Sequence, residues 1–261
     1  MEISLYKIDA FASKLFEGNP AAVCPLDEWL SDEMMQTIAK ENNLSETAFF
    51  VPNGDRFRIR WFTPELEVEL CGHATLASAY VLFNILGYKN EKIEFESRSG
   101  LLTVTKDNDW IVLNFPAQPP VECEIPEEIK NAFDGLPIEC LKSEDYIVVF
   151  ENESDVESAK PDFGELAKLG LRGVIITAKS KQYDFIARFF APGYGIPEDP
   201  VTGSAYTQLA PYWASKIGPK KFHAKQISQR GGELLCELVG DRVLISGKGV
   251  KYLEGRINIE R

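Results

Sequence analysis

Two stretches of the chain resemble each other closely enough to indicate an internal duplication. The segment RWFTPELEVELCGHATLASAY (60–80) aligns without a gap with RFFAPGYGIPEDPVTGSAYTQ (188–208). Arg60 aligns with Arg188, which sets an offset of 128 positions, and two aromatic residues, a proline and an alanine also match. In each copy an aromatic strand leads through a proline turn into an apolar helix. This duplication constrains the fold most strongly, because it predicts two similar lobes within one chain.

The pattern of strands and helices predicts a mixed fold with a boundary near its middle. RFRIRWF (56–62) alternates as a half-buried strand does, and the almost wholly apolar HATLASAYVLFNILG (73–87) indicates a helix surrounded by sheet. The proline-rich segment 116–128 interrupts the pattern, which then restarts. We therefore predict an N-terminal lobe over residues 1–116 and a C-terminal lobe over residues 121–248.

The composition excludes several classes of partner. The chain has 28 Lys and Arg against 40 Asp and Glu, and its net charge of −12 repels nucleic acid and anionic membranes. No apolar run approaches the ~20 residues of a membrane-spanning helix. Five cysteines without a C-x-x-C pair indicate free thiols and a cytoplasmic protein. An anionic substrate would need a site built locally from backbone N–H groups or a few placed cations.

The starts of the two predicted helices are candidate anion sites. A helix N-terminus presents unpaired N–H groups and a partial positive charge. Residues 72–75 form the first start and residues 200–204 the second, where Gly72 and Gly203 would let a ligand approach the backbone closely. Either glycine could belong to an ordinary helix cap, but their pairing by the repeat favours a site in a cleft between the lobes.

Cys71 immediately precedes the first helix start, and His73 lies two residues beyond it. This position favours a lowered thiol pKa, so Cys71 is a candidate proton-transfer group or nucleophile as well as a candidate apolar filler. A Cys–His hydrolase is disfavoured, because nucleophile and base usually come from distant segments. With two histidines, no ligand-spaced cluster and no nucleotide-binding fingerprint, the sequence predicts neither a metal nor a cofactor.

Two carboxylates are candidates for chemistry. Glu46 heads the strand TAFFV (47–51) and is followed by apolar residues. An apolar environment suits a carboxyl group to general acid/base work, although the same position fits a surface residue at a loop corner. Asp199 either caps the second helix or binds polar groups of a substrate.

These motifs together resemble the phenazine-biosynthesis PhzF-like family. The matching words are DAFASKLFEGNPAAV, NLSETAFF, FTPELEVELCGHATLASA, FFAPGYGIPEDPVTGSA and ISGKGV, which span nearly the whole chain in the family's order. The resemblance implies an α+β fold like that of diaminopimelate epimerase. In that fold two similar lobes, each a mostly antiparallel curved sheet or barrel around a central helix, are related by a pseudo-two-fold axis with the active site in the cleft between them. It also implies a homodimer, and a last strand, about 249–261, that returns to the N-terminal lobe.

The resemblance also assigns roles to single residues. Glu46 matches the glutamate that moves a proton as the phenazine enzyme isomerises a dihydroxylated, amino-substituted cyclohexadiene carboxylate. The candidate substrate-binding residues are Asn19, Ser45, Gly72, His73, Asp199, Gly203 and Ser204. Related epimerases use two cysteines, one at each helix start. Here Cys71 holds the first position and Asp199 the second, so a two-thiol mechanism is excluded.

Three functions fit these residues. The first is a cofactor-independent biosynthetic isomerase that moves a proton within a small carboxylate-bearing substrate, with Glu46 as the proton carrier and Cys71 as an accessory. The second is an amino-acid epimerase or racemase in which Cys71 acts with Asp199 or Glu46. The third is a non-catalytic protein that binds a small acid.

Overall fold

The chain forms two compact units, seen in a computed structural model that describes residues 1–135, 137–218 and 220–259. Unit 1 comprises Met1–Asn114 and Ser246–Arg261, and unit 2 comprises Phe115–Ile245. Residues 260 and 261 of the predicted returning strand lie outside the described residues.

Most of unit 1 comes from the N-terminal part of the chain. Its elements are β1 (Glu2–Ala10), β2 (Asn19–Pro25), α1 (Asp32–Asn42), β3 (Glu46–Asn53), β4 (Arg56–Phe62), β5 (Glu67–Val68), α2 (Gly72–Tyr80), β6 (Lys92–Ser97), β7 (Gly100–Asp107) and β8 (Trp110–Pro116). A π-helical turn, Val81–Ile85, continues α2. Helix α1 has the ends that its sequence indicates, because the Ser31 hydroxyl accepts the N–H of Met34 at the N-cap and Asn43 is left-handed at the C-cap.

Unit 2 is also built from strands and helices. They are β9 (Val121–Glu122), α3 (Glu127–Ala132), β10 (Glu139–Lys142), β11 (Tyr146–Val149), α4 (Glu153–Ser158), α5 (Phe163–Leu166), β12 (Val174–Lys179), β13 (Phe185–Ala191), β14 (Ile196–Asp199), α6 (Tyr206–Ile217), β15 (Lys221–Gln226), β16 (Gly232–Val239) and β17 (Arg242–Gly247). Short 3₁₀ turns occupy Pro192–Tyr194 and Gly203–Ala205. The last strand, β18 (Gly249–Asn258), pairs antiparallel with β1 in unit 1.

The strand pairing of unit 2 repeats that of unit 1. In unit 1, β1 pairs with β2 antiparallel, β2 with β3 parallel, β3 with β4 antiparallel and β4 with β6 parallel. In unit 2, β10, β11, β12, β13 and β15 follow the same order of antiparallel and parallel pairs. The duplication predicted from the sequence is therefore present in the topology.

The two arginines that match in the sequence also make matching contacts. Arg60 on β4 forms a bidentate pair with Glu67 at 2.7 Å and 2.7 Å, and its guanidinium lies 5.1 Å from the centroid of an aromatic ring on the same strand. Arg188 on β13 pairs with Glu198 at 2.7 Å and 3.0 Å and lies 5.0 Å from a ring of its own strand. Each ion pair joins an aromatic strand (β4 or β13) to the short strand that follows it (β5 or β14). The pair thereby fixes the position of the short strand and the residue at which the next helix begins.

A buried helix lies at the centre of each unit, as the sequence predicts. In α2 every residue from His73 to Ala79 is buried, and the helix packs against β1, β2, β3 and β18. In α6 Trp213 stacks on Phe185 of β13 with 5.4 Å between ring centroids. Over the stretches that the structure describes, no helix combines the length and apolarity needed to cross a bilayer.

At Gly18, in the turn before β2, two stretches of backbone approach each other closely. Its φ is +67°, and a Cβ at this position would lie 2.1 Å from the carbonyl oxygen of Ala10. Gly54 has a similar φ of +62°, but a Cβ there would meet nothing within 4 Å. Both alanine substitutions cost about 1–2 kcal/mol for the left-handed backbone. We predict that Gly18→Ala lowers the free energy of unfolding by about 2 kcal/mol more than Gly54→Ala, because β1 and β2 must also separate.

Urea-induced unfolding of the two variants and the unsubstituted protein measures this difference. Equal losses of stability in Gly18→Ala and Gly54→Ala would contradict the close approach at Gly18.

Candidate functional site

Glu46, Cys71 and His73 lie together in unit 1. Glu46 is the first residue of β3, and Cys71 and His73 flank the first residue of α2. The Oε2 of Glu46 lies 3.1 Å from the Nε2 of His73, and the Sγ of Cys71 lies 3.5 Å from the Nδ1 of the same ring. The imidazole therefore stands between a carboxylate and a thiol, with one ring nitrogen facing each.

The strand order explains how Glu46 comes to this helix start. Because β2 and β3 are parallel, their first residues lie at the same end of the sheet, with Glu46 opposite Ala21. The fully buried Asn19 lies two positions before Ala21, and Ser45 directly precedes Glu46. Gly72 is the first residue of α2. The predicted site residues of this part of the chain thus meet at one corner of unit 1.

The three central side chains are withdrawn from solvent. The exposed fraction of the side chain is 8% for His73 and 15% for Glu46, and Cys71 is buried. These values exclude the alternative interpretation of Glu46 as a surface residue at a loop corner. They also place the carboxylate where electrostatic interactions are stronger than in water.

Cys71 holds its proton near neutral pH. Burial first, and then the nearby Glu46 carboxylate, raise the pKa of the Cys71 thiol to about 11. The sequence predicts the opposite, a thiol pKa lowered by the helix start. That prediction is wrong because loss of hydration and a neighbouring negative charge together outweigh the partial charge of the helix terminus.

His73, in contrast, is favoured in its charged form. Burial opposes the imidazolium, but the groups of Cys71 and Glu46 at its two nitrogens raise the pKa of His73 well above its usual 6.5. Because burial keeps Cys71 a neutral thiol near pH 7, Glu46 is the neighbour that can carry the charge opposite to the imidazolium. The two residues are therefore an imidazolium–carboxylate pair inside the unit.

The same three residues also form a group of potential metal ligands, since one suitable atom of each lies within 4.8 Å of the others. The sequence did not predict this group, because Glu46 lies on a different segment from Cys71 and His73. The geometry does not favour one shared ion. Glu46 and Cys71 face different nitrogens of the imidazole, whereas a metal ion binds only one of them.

Asp199 belongs to a buried polar network in unit 2. Its carboxylate accepts a short hydrogen bond from the Thr202 hydroxyl, and its carbonyl accepts one from the Nε2 of Gln226 at 2.9 Å. The Oε1 of Gln226 accepts the N–H of Thr202 at 2.9 Å. These bonds hold the chain extended up to Thr202, which is the N-cap residue. The helical turn therefore begins at Gly203, within the predicted helix start of residues 200–204, and Asp199 is not the cap.

Ser204 follows Gly203 in this turn and contacts a residue that sequence reasoning missed. The Oγ of Ser204 accepts a hydrogen bond from the Nη1 of Arg172 at 3.0 Å. Arg172 matches no motif, and its only sequence signal is the repeat, which aligns it with Leu44, two residues before Glu46. Gln226 was missed for the same reason, since it matches no motif, whereas Thr202 lies within the predicted helix start of residues 200–204.

A solved structure of low sequence identity resembles this chain in its fold. A hydroxyproline epimerase from Agrobacterium vitis shares 10% sequence identity with this chain, covers 98% of it and 92% of its own length, and has a TM-score of 0.62. The epimerase-like α+β fold class predicted from the sequence is therefore confirmed.

Closer comparisons identify the family. The PhzC-PhzF family, described as phenazine biosynthesis-like protein, matches residues 8–255. An uncharacterized isomerase of Pseudomonas aeruginosa is 51% identical over 260 residues, which cover 99% of this chain and 100% of that protein. A crystal structure of a PhzF-family phenazine biosynthesis protein from Enterococcus faecalis has 44% identity and a TM-score of 0.97, and covers 99% of this chain and 100% of its own. The chain therefore belongs to the phenazine biosynthesis-like, or PhzF, family.

Proposed function

We propose that this protein is an isomerase that moves a proton within a small carboxylate-bearing substrate, with Glu46 as the proton carrier. The observation that carries the proposal is the ion pair between Glu46 and His73 in a largely buried corner. The isomerase of Pseudomonas aeruginosa described above, at 51% identity, supports the reaction class.

Proton relocation needs one group that takes a proton from one atom and returns it to another. His73 faces the Oε2 of Glu46, so we assign the transfer to the other oxygen, Oε1. When Glu46 accepts the proton, negative charge develops on the substrate while the imidazolium of His73 stays in place. A fixed cation in a site of low polarity stabilises such charge strongly. Glu46 then returns the proton to the other end of the conjugated double bonds of the substrate.

The remaining site residues are proposed to bind the substrate. Asn19, Ser45 and Gly72 border the corner that holds Glu46, and Asp199, Gly203 and Ser204 belong to the second helix start. That one substrate contacts residues of both units stays a prediction from the sequence.

Family resemblance further supports the proposal that the protein acts without a cofactor, as a cytoplasmic homodimer. Sedimentation equilibrium of the purified protein should give twice the mass of the chain. A mass equal to that of one chain across micromolar concentrations would contradict the dimer.

Replacement of Glu46 tests the proposed proton carrier. Glu46→Gln keeps the shape of the side chain but removes its ability to accept a proton. In D2O the unsubstituted protein should transfer deuterium to a ring carbon of an amino-substituted dihydroxycyclohexadiene carboxylate, which NMR detects. We expect Glu46→Gln to lower this rate by about 10²–10⁴-fold. Glu28→Gln, which makes the same charge change at an exposed position, should leave the rate unchanged. Full turnover in Glu46→Gln would remove Glu46 from the mechanism.

Cys71→Ser separates the isomerase from the alternative functions. A thiol with a pKa of about 11 is a poor base at neutral pH, so we expect the variant to keep its turnover within about 10-fold. An epimerase would instead place deuterium at the Cα of an amino acid and lose this exchange in Cys71→Ser. A non-catalytic binding protein would show no exchange into any bound acid.

A further inference from the structure

Arg172 lies next to the second helix start of this acidic chain. With a net charge of −12, an anion has to be recognised by groups placed for that purpose. The Nη1 of Arg172 lies 3.0 Å from the Oγ of Ser204, and 29% of the arginine side chain is exposed. Both residues belong to unit 2.

The orientation of Arg172 is fixed by a fully buried carboxylate. Its Nε and Nη2 donate to the two oxygens of Asp145 at 2.9 Å and 2.5 Å. Gln208 on α6 donates to the same carboxylate at 2.6 Å, and its Oε1 accepts the N–H of Asp145 at 3.1 Å. The guanidinium also lies 5.3 Å from the ring centroid of Phe189. A planar guanidinium that is hydrogen-bonded to a carboxylate and packed near an aromatic ring has one stable orientation.

The net charge of Arg172 is not what an anion would recognise. Asp145 neutralises the guanidinium, and an oxygen of Glu144 lies 3.2 Å from Nη1. A second anion would therefore gain little from the charge alone. What Arg172 can still provide is the direction of a hydrogen bond.

The contact between Arg172 and Ser204 determines that direction. A guanidinium has only donors, so the hydroxyl oxygen of Ser204 must be the acceptor. The hydroxyl proton of Ser204 is then left for a further acceptor, and the hydrogen bond from Arg172 polarises the hydroxyl and strengthens it as a donor. The backbone of this turn is fixed as well, because the carbonyl of Ser204 accepts the Thr207 hydroxyl at 2.7 Å.

We propose that Arg172 is a positioning residue that directs the Ser204 hydroxyl to the carboxylate of the substrate and so selects anionic substrates. The inference rests on the proposed function in taking the substrate to be a carboxylate and Ser204 to be one of the residues that bind it. The repeat adds a parallel, since it aligns residues 171–174 with residues 43–46. In unit 1 this segment ends in the proposed acid/base Glu46, and in unit 2 it supplies the arginine.

A double-mutant cycle tests whether Arg172 acts through Ser204. Calorimetry measures the binding of 2-aminobenzoate, and of its uncharged counterpart 2-aminobenzamide, to the unsubstituted protein, Ser204→Ala, Arg172→Lys and the double variant. Lysine keeps a positive charge beside Asp145 but lacks the fork that contacts both Asp145 and Ser204. We expect each single variant to raise the Kd of 2-aminobenzoate about 10-fold or more. The double variant should raise it no further than Ser204→Ala does.

The uncharged probe supplies the control for a merely structural role. The Kd of 2-aminobenzamide should rise less than that of 2-aminobenzoate in every variant, because a hydrogen bond from Ser204 to a neutral carbonyl is weaker than one to a carboxylate. Equal losses for both probes, additive losses in the double variant, or full affinity of Arg172→Lys for 2-aminobenzoate would each overturn the proposal. So would the absence of measurable 2-aminobenzoate binding to the unsubstituted protein.

Circular dichroism of each variant establishes that it is folded. If Arg172→Lys does not fold, the pair Arg172→Gln and Asp145→Asn, which leaves no buried charge unpaired, replaces it in the cycle. None of these measurements depends on turnover. If the cycle shows coupling between Arg172 and Ser204 but the protein exchanges no deuterium, the isomerase is rejected and the role of Arg172 is retained. If deuterium exchanges but the cycle shows no coupling, the role of Arg172 is rejected and the isomerase is retained.

Discussion

The ion pair between Glu46 and His73 is the interaction on which the site depends. Neither a carboxylate nor an imidazolium is stable alone in a buried corner, because each loses its hydration there. At 3.1 Å each group provides the opposite charge that the other needs, and Cys71 and Glu46 together raise the pKa of His73 well above its usual value. A carboxylate kept in place by a fixed cation can accept a proton while charge develops nearby. Cys71, a neutral thiol on the other ring nitrogen, supports the orientation of the imidazole.

The duplicated topology explains why these groups meet. In each unit two parallel strands start at the same end of the sheet, and a buried helix begins after an arginine-tethered short strand. In unit 1 this arrangement brings Glu46 to His73. In unit 2 it brings Arg172 to Ser204, with the fully buried Asp145 behind the guanidinium. The duplicated arrangement thus holds the proposed acid/base in one copy and a hydrogen-bonded arginine in the other.

The fold could be predicted because each of its sequence signals lies within one short segment. The site depends instead on contacts between segments that are distant in the sequence. The repeat, the aromatic strands and the apolar helices can each be read from one short segment. Glu46 and His73 could be named from their motifs, but their contact joins two segments. The pKa of Cys71 was predicted in the wrong direction because the helix start is visible in the sequence and burial is not. Arg172 was missed because its partners Asp145 and Ser204 lie 27 and 32 residues away.

Nitrogen-15 NMR of the histidine side chains as a function of pH tests the central ion pair most directly. In the unsubstituted protein the imidazole of His73 should remain protonated well above pH 6.5, its usual pKa. In Glu46→Gln the neighbouring carboxylate is absent while the burial of His73 remains, so the pKa of His73 should fall. The resonances of the other histidine, His223, provide an internal reference in both proteins. A His73 that loses its proton at or below pH 6.5 in the unsubstituted protein, or a pKa unchanged in Glu46→Gln, would contradict the account.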